Sequence, residues 1–595
     1  PMQDPFLDGT TLTASGRTGS VTLTANANVF STTDVGRLVK VHDGYAEITA
    51  VASTVSATAT VKENEDRRSE LMPSYTAATI DFHEGDPTTT NLEHNDRITD
   101  SAGNFVTQGF KVGQRITVSG SISHNNQSGL LLVSVTADTL VIAPSGDLNN
   151  AAAGSSITIT GDLDADDEFR LGAFSDTTGY PACISFYEQR LVFANTLVQP
   201  QTIFFSTGNS FEEFTPGVDS NDAIIYTIGS NQVNVIEYLA GSRFLIVGTS
   251  GGEFSVSSGT TTEPITPSNA QIRKQSGYGS KSIEPLSVAN VILFVQRAGR
   301  KLRELSYNYD TDSYFAPDMT ILAEHITEGL IKRITLQQEP DNIVWAVLED
   351  GSLCGMTYRR EEEVVGWHSH AIGGTNTFVE DVLSIPSGDT QDDLYLIIRR
   401  TINSETKRYI ERLTNIDFGN DVEDAWFVDS ALQYEGASAT IITGLNHLEG
   451  ETVQILGNGS VQANKTVSSG QITLDTAVTK ATIGLGYDST LQTMRLDYGG
   501  DEGTAQGKTK RIRDVTVRFY RTVGAKVGPD AATLDTIEFR DSSVPMGQPT
   551  PLYDGDKEIT FPSGYETDGF VVVKQDQALP MTVVGIFPRL QTFDR

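Results

Sequence analysis

The stretch Val344-Trp345-Ala346 is apolar at every position, and after a turn it is followed by the more mixed stretch Leu353-Cys354-Gly355-Met356-Thr357. One blade of a β-propeller requires such a pair, because neighbouring blades cover its inner strands on both faces while its outer strands meet water. The two stretches therefore predict a blade-like pair of antiparallel strands.

The same pair recurs about every 50 residues between residues 171 and 430. The apolar centres fall at residues 192, 246, 293, 345 and 397, with spacings of 54, 47, 52 and 52 positions. The partner strands are Gly252-Glu253-Phe254-Ser255-Val256, Lys301-Leu302-Arg303-Glu304-Leu305 and Arg408-Tyr409-Ile410-Glu411-Arg412. A repeat of this kind buries its core only by stacking on its neighbours, which favours a propeller. An ordinary meander of hairpins with accidental spacing is the alternative.

The predicted fold class is all-β: a β-propeller-like core, with small β-barrel or sandwich domains before it and one inserted in it. Residues 1–70 and 71–170 are predicted to be two small domains in tandem, because Val35-Gly36-Arg37-Leu38 and Val112-Gly113-Gln114-Arg115 are similar and their glycines lie 77 positions apart. Residues 171–430 carry the blades, and residues 431–495 form the insert. Residues 496–595 form a C-terminal β segment that is predicted to complete the propeller and remove a sheet edge.

The charge of the 595-residue chain limits its function. It has 43 Lys and Arg against 77 Asp and Glu, a formal net charge of −34. Tight binding of nucleic acid requires clustered cations, so this composition argues against tight binding of a DNA duplex or of RNA. A negative surface is compatible with a passage along which DNA slides, although net charge can also report solubility alone.

Cysteine and hydropathy add further limits. Cys183 and Cys354 are the chain's two cysteines, too few for a disulfide framework or a zinc site, and both are predicted to be free core thiols. No run of 18 apolar residues occurs, so insertion of this chain into a membrane is not predicted. The chain begins with Pro1-Met2, as expected of an internal part of a longer protein or of a processed N-terminus.

Three acidic residues have the spacing of a calcium loop. Asp162, Asp164 and Asp166 alternate along the chain, but Asp167 stands where such a loop needs Gly, and the twelfth position is not Glu. An acidic linker is therefore favoured over a metal site.

Other polar pairs are weaker metal candidates. His368 and His370 would share one face of a strand and could chelate a metal, but no third ligand is visible by spacing. Asp310 and Asp312 are better explained by a turn. The sequence therefore assigns no metal-binding and no cofactor-binding residues.

No catalytic residues are assigned either, and the chain is predicted not to be an enzyme. It has no Gly-x-Ser-x-Gly elbow or Walker-type phosphate loop, and among 77 acidic residues no pair stands out as glycosidase carboxylates. The stretch Gly248-Thr249-Ser250-Gly251-Gly252 indicates a hairpin turn. Tyr307, Tyr309, Tyr314 and Phe315 are predicted to pack between blades, with stacking on sugar rings as the alternative.

Several motifs occur in an order that resembles the tail nozzle proteins of podoviruses, the tail tubular protein B family. They are Phe186-Tyr187-Glu188-Gln189-Arg190-Leu191-Val192-Phe193-Ala194, Pro200-Gln201-Thr202-Ile203-Phe204-Phe205-Ser206, Leu302-Arg303-Glu304-Leu305-Ser306-Tyr307, Gly366-Trp367-His368, Arg408-Tyr409-Ile410-Glu411-Arg412 and Gly444-Leu445-Asn446-His447-Leu448-Glu449-Gly450. The resemblance covers roughly residues 180–595. Such proteins usually have a further N-terminal segment that this chain does not match.

The resemblance implies a structural subunit of a bacteriophage tail. It implies a homo-hexamer that forms a tube below the tail adaptor protein, with tail fibres or spikes attached nearby. Double-stranded DNA would pass through the tube into the host without sequence-specific binding. The host cell surface is a further partner to consider. A virion-associated polysaccharide depolymerase and a host-glycan-binding tail protein remain the alternatives.

Overall fold

The structure is a computed structural model that describes residues 2, 9–63, 68–86, 95–121, 124–143, 146–153, 156–229, 234–259, 263–309, 313–387, 391–497, 504–562 and 564–593. Over these residues the regular structure is β-strand apart from short 3-10 turns such as Thr32–Asp34, Val422–Asp424 and Asn446–Leu448. None of the described helices has the length and apolar character needed to cross a membrane. The predicted fold class is confirmed. The chain divides into two compact units, Pro1–Gly277 and Tyr278–Arg595.

Two sheets of similar topology open the first unit. Their strands are β1 (Leu12–Ala14), β2 (Ser20–Ala25), β3 (Leu38–Val41), β4 (Gly44–Ser53), β5 (Ser56–Lys62), β6 (Ser74–Ala77), β7 (Ile80–His83), β8 (Asp96–Asp100), β9 (Arg115–Ser119), β10 (Leu130–Val135), β11 (Thr139–Ala143), β12 (Ile157–Gly161) and β13 (Arg170–Leu171). The first sheet has the order β1-β2-β5-β4-β3-β13, and the second has β6-β12-β9-β10-β11-β8-β7. Read from β7, the second sheet follows the same order as the first.

The two domains are nested rather than placed in tandem. Strand β13 pairs with β3, and Phe169 and Leu171 belong to the core of the first domain. The strands of the second sheet, β6 to β12, therefore lie in the chain between β5 and the last strand of the first sheet. The sequence did not reveal that the chain returns to the first sheet at β13, because this strand has only two residues.

The glycines of the internal repeat occupy equivalent places. Gly36 has φ of +88° and its N–H donates to Ile48 O at 2.7 Å, while Gly113 has φ of +93° and its N–H donates to Leu132 O at 2.8 Å. In both domains the acceptor residue donates in return to the residue that follows the glycine. A left-handed residue is thus required at both places, which explains why glycine recurs there.

We expect Gly36→Ala to lower the free energy of unfolding by about 1 kcal/mol, because L-residues resist positive φ. The same holds for Gly113→Ala. A Cβ at either position meets nothing within 4 Å, so the effect isolates backbone strain. The control is Gly16→Ala, where φ is not positive and the nearest atom is Val21 Cγ1 at 3.5 Å. Equal urea midpoints for all three variants would contradict the argument.

Two four-stranded sheets complete the first unit. Blade 1 contains β14 (Cys183–Tyr187), β15 (Arg190–Ala194), β16 (Thr202–Phe205) and β17 (Ile224–Thr227), and blade 2 contains β18 (Ile236–Gly241), β19 (Leu245–Thr249), β20 (Gly252–Ser257) and β21 (Gln271–Lys274). Each sheet is an antiparallel meander, and the predicted turn at residues 248–252 joins β19 to β20. The two sheets share one core. Strand β20 was expected to be the more exposed partner strand, but its first five residues are all buried.

Three more sheets open the second unit. Blade 3 contains β22 (Leu286–Val288), β23 (Val291–Val295), β24 (Leu302–Asn308) and β25 (Ser313–Phe315); blade 4 contains β26 (Ile331–Gln337), β27 (Ile343–Leu348), β28 (Leu353–Arg359) and β29 (Val364–His370); blade 5 contains β30 (Thr375–Ile385), β31 (Asp393–Ile402) and β32 (Glu405–Arg412). The five predicted apolar centres are all the second strands of their sheets.

Strand β27 explains the unbroken apolar pattern. Val344 and Ala346 belong to a core shared with blade 3, whereas Trp345 and Val347 belong to a core shared with blade 5. Successive residues of a strand point to opposite faces, so both faces of β27 are buried. The cysteines lie in such cores. Burial raises the pKa of Cys183 and of Cys354 to about 12, and the prediction of free core thiols is confirmed.

The last third of the chain forms three further sheets. Their strands are β33 (Asp429–Thr443), β34 (Thr452–Gly457), β35 (Ser460–Thr466), β36 (Gln471–Leu485), β37 (Ser489–Gln492), β38 (Thr509–Thr522), β39 (Lys526–Gly528), β40 (Asp535–Thr536), β41 (Tyr553–Thr560), β42 (Val572–Gln575) and β43 (Val583–Phe593). The sheet orders are β33-β36-β34-β35, β37-β42-β39-β40 and β41-β38-β43.

The completion of the propeller by the C-terminal segment stays a prediction. Among the described residues, each strand from β37 to β43 pairs with another strand of this set and none pairs with a blade. Strands β38 and β43 are long partners with their own core around Val515 and Val517. Local patterns predicted these strands but not their pairing partners.

Candidate functional site

The hairpin of blade 1 carries the main motif of the resemblance. Glu188 and Gln189 form the two-residue turn between β14 and β15, with φ of +44° and +61°. Two positive φ angles suit the twist of a tight hairpin but strain residues other than glycine. The turn is held because Glu188 Oε2 accepts the Ile265 N–H at 2.6 Å and Gln189 O accepts the Asn209 N–H at 3.1 Å.

Arg190, the next residue of the motif, is an internal clamp. It is 4% exposed, and its guanidinium donates to the carbonyl oxygens of Ser206 at 2.7 Å, Asp222 at 2.6 Å and Ser220 at 2.9 Å. The side chain therefore fixes the connection between β16 and β17 against β15. Its role is structural, because no solvent-facing group of this cation is left for a ligand.

We expect Arg190→Ala to lower the free energy of unfolding by about 3 kcal/mol, because three carbonyls would lose a charged donor. The measurement is the first thermal transition of the full chain, followed by circular dichroism. Arg243→Ala removes an exposed cation of blade 2 and is the control, with no expected change. An Arg190→Ala protein that melts like this control would refute the clamp.

One face of blade 1 is apolar and exposed. Ile184 and Phe186 point to the same side of β14 and are 62% and 61% exposed. Phe186 contacts Phe211, itself 47% exposed, edge to face at 5.3 Å between ring centroids. We call Ile184, Phe186 and Phe211 the blade 1 apolar face. Exposed clusters of large apolar side chains commonly mark interaction surfaces.

The aromatic residues of blade 3 do not pack between blades. Tyr309 and Phe315 are 87% and 59% exposed, and Tyr307 contacts Tyr314 at the surface with ring centroids 5.6 Å apart. The prediction of interblade packing is therefore wrong for these residues. Tyr307, Tyr309 and Phe315 line a shallow groove of about 480 Å³ together with Arg360.

The acidic residues of the predicted linker bind the protein itself. Asp162 accepts the Thr117 hydroxyl at 2.5 Å and the Gly129 N–H at 2.9 Å, and Asp166 accepts the His42 N–H at 2.6 Å. Asp164 is exposed. Asp310 and Asp312 lie outside the described residues. The two bonded carboxylates stabilise the chain as it returns to β13.

The two histidines of β29 bind each other. His368 Nδ1 and His370 Nε2 are 2.7 Å apart, and the His370 ring lies 4.7 Å from the Trp345 ring. Burial lowers the pKa of His368, and burial together with His368 lowers the pKa of His370 to about 4. Both rings are therefore neutral at pH 7. Over the part of the chain that the structure describes, no three metal-ligating side chains form a cluster.

A cavity of about 790 Å³ lies within the second unit. Its walls come from blade 4, from β31 and β32 of blade 5, from the segment that leads into β33, and from Tyr487 and β37. Aromatic side chains and carboxylates both face it. The aromatic residues are Trp345, Tyr409, Trp426 and Tyr487, and the carboxylates include Glu411, Asp429 and Asp488.

A chain of polar contacts fixes the two central carboxylates. Arg400 is fully buried and makes a two-pronged ion pair with Glu411, with Nη2 and Oε2 3.0 Å apart. Its Nε donates to Gly373 O at 2.8 Å, and Gly373 N–H donates to Asp429 Oδ2 at 2.6 Å. Blade 5 and the first residue of β33 are thereby connected through Gly373.

Asp429 differs from Glu411 in having no ion-pair partner of its own among the described residues. Burial raises its pKa to about 6, with Glu411 adding to the rise, while the Gly373 N–H and the Arg400 charge oppose it. The pKa of Tyr487 is also raised, first by burial and then by the negative charge of Asp429. A strongly shifted carboxyl on a cavity wall is a common mark of a functional position.

We expect Asp429→Asn to stabilise the protein at pH 8 and not at pH 4. The folded-state pKa of about 6 lies above the ordinary 3.8, so the folded state holds the proton more tightly and loses stability as pH rises from 3.8 to 6. The loss is about 3 kcal/mol, and Asn avoids it while keeping an acceptor for Gly373. The exposed Asp421→Asn is the control. A pH-independent difference in urea midpoint would contradict this assignment.

Sequence reasoning did not find Arg400, Asp429 or Tyr487. One signal was present: Leu394, Leu396 and Ile398 alternate on the buried face of β31, and the next position of that face is Arg400. A cation on a buried face needs a carboxylate, which could have directed attention to Glu411 on the paired strand. Asp429 and Tyr487 carried no such pattern.

Comparison with known proteins gives distant structural likenesses only. No protein-family model and no curated protein matches the chain. The β-propeller domain of Cps50 (Swd1) from Myceliophteria thermophila is similar at 9% identity and a TM-score of 0.25, over 52% of this chain and 90% of that one. An auxiliary nutrient binding protein from Bacteroides thetaiotaomicron is similar at 8% identity and a TM-score of 0.24, over 80% of this chain and 97% of that one. The endosialidase of phage phi92 is similar at 10% identity and a TM-score of 0.18, over 92% of this chain and 82% of that one. At these scores none of the three indicates what this chain binds or does.

Proposed function

We propose that this chain is a structural, non-enzymatic subunit of the tail nozzle of a short-tailed bacteriophage. The proposal rests on the motifs that resemble podovirus tail nozzle proteins, in the order in which they occur along the chain. In this proposal six copies form a tube below the tail adaptor, with fibres or spikes attached nearby, and the genome passes through the tube into the host.

The observation that supports assembly most directly is the blade 1 apolar face. The motif contains Phe186, which stays 61% exposed in a single chain, and Phe211 follows it closely in the same blade. A buried Arg190 and a strained turn keep this aromatic residue in a fixed position. A rigid, exposed aromatic anchor suits a protein surface that a neighbouring subunit covers.

The charge of the chain supports passage of DNA rather than its capture. Six copies would carry six times −34, about −200. Several of the described cations are already paired with carboxylates; for example, Glu380 Oε2 accepts the Arg408 Nε–H at 2.8 Å and Glu380 Oε1 lies 3.8 Å from Arg399 Nε. The excess of acidic residues would repel phosphates, so the backbone of the DNA could slide.

Electron microscopy of the purified full chain, and of virions that contain it, tests the proposal. We expect a six-fold ring with a central channel on the tail axis, and no release of reducing sugars from host capsule. Peripheral trimers on the virion, or reducing-sugar release by the purified protein, would favour the depolymerase alternative and overturn the nozzle.

We expect Phe186→Ser to weaken ring assembly at least about tenfold in dissociation constant, because a buried aromatic anchor would be lost. The measurement is the concentration dependence of oligomer mass by mass photometry. Val218→Ser removes another exposed apolar side chain of the first unit, 90% exposed, and is the control. Unchanged assembly of Phe186→Ser would exclude this face from the interface.

A further inference from the structure

The cavity of the second unit has the lining of a ligand site. Its volume of about 790 Å³ falls in the range of roughly 300–1,000 Å³ typical of small-molecule sites. Its lining combines aromatic, hydroxyl-bearing and charged residues. The hydroxyl-bearing residues include Ser369, Thr414, Ser430, Ser489 and Thr490.

Asp429 is not needed there for stability. Its burial makes the ionised folded state less stable, whereas removal of the charge would leave an acceptor for Gly373 in an Asn side chain. Among the described residues, Gly373 is the one hydrogen-bond donor to this carboxylate. The remaining lone pairs of Asp429 are available to donors that enter the cavity.

The chemistry of the wall selects a class of ligand. Glu411 is paired with Arg400, and Asp488 Oδ2 lies 2.6 Å from Lys574 Nζ. Asp429 has no ion pair of its own among the described residues, and its charge disfavours phosphates and acidic sugars. Aromatic rings at Trp426 and Tyr487 offer flat apolar faces beside these acceptors. A ligand with many hydroxyl donors and apolar ring faces satisfies both requirements, as a pyranose does.

We propose that this cavity is a binding site for a neutral oligosaccharide. Asp429 and Glu411 accept hydrogen bonds from sugar hydroxyls, Tyr487 donates to or accepts from another, and Trp426 contacts the ring. Glu411 is positioned by Arg400, and Asp429 is positioned by Gly373. The site does not depend on the nozzle assignment.

Titration of Asp429 gives the site a pH dependence. The carboxylate is the better acceptor, so affinity is highest above pH 6 and falls as Asp429 is protonated below it. The titratable groups that interact with Asp429 are Arg400 and Glu411, which pair with each other, and Tyr487, whose pKa is raised. Tyr409, Arg412 and Asp488 line the same cavity. His370 and His447 also line the cavity; the His370 ring bonds to His368, and His447 Nε2 lies 2.9 Å from Ser430 O.

Saturation-transfer NMR on the full chain tests the proposal with maltotriose, cellotriose and chitotriose as neutral probes and sialyllactose as the anionic comparator. We expect transfer from at least one neutral trisaccharide at pH 8, an affinity at least tenfold weaker for Asp429→Asn, and a severalfold weaker one for Trp426→Phe. The control Asp421→Asn should bind as the unchanged protein does. Circular dichroism confirms that each variant is folded.

Three outcomes would overturn the site. They are the absence of transfer from all three neutral probes to the folded protein, stronger binding of sialyllactose than of any neutral probe, and unchanged binding by Asp429→Asn. Each is independent of whether the chain forms a ring in the microscope. Failure of the saccharide site and failure of the nozzle proposal are therefore separate results.

Discussion

Burial of one strand by two different neighbours is the constraint on which the blades depend. In β27, Val344 and Ala346 complete the core shared with blade 3, and Trp345 and Val347 complete the core shared with blade 5. Neither core can form from blade 4 alone, since a small isolated sheet buries too little surface to be stable. The strand must therefore be apolar at every position, and this requirement produces the repeat of about 50 residues.

The same constraint explains why the blade 1 apolar face is notable. Cys183 and Tyr187 of β14 lie in the core shared with blade 2, while Ile184 and Phe186 alternate with them and point the other way. Side chains from outside the strands, such as Phe174 and Phe214, cover only part of that other face. Strand β14 thus has apolar side chains on both of its faces, but one of these faces remains exposed. A neighbouring subunit is the proposed cover.

The sequence predicts a feature when consecutive residues carry its pattern, and misses a feature that depends on residues distant in the chain. The apolar centres of β19, β23 and β27 were found because burial on both faces leaves a mark on consecutive residues. The return of the chain to β13 was missed because a two-residue strand has no periodicity, although Leu171 lies fully in the core of the first domain. The pairing of β38 with β43 was missed because nothing in either strand specifies its partner; each alternates as any half-buried strand does.

Charge in the cavity was the least predictable feature, because it arises from the meeting of distant residues. Arg400 has no exposed surface and is neutralised by Glu411 on the neighbouring strand. Asp429 reaches the pair only through the backbone of Gly373, and it retains a charge that burial opposes. A half-buried carboxylate without an ion pair of its own is commonly less stable than its neutral replacement. Its place on a cavity wall with two tryptophans and two tyrosines is therefore better explained by a ligand than by the fold.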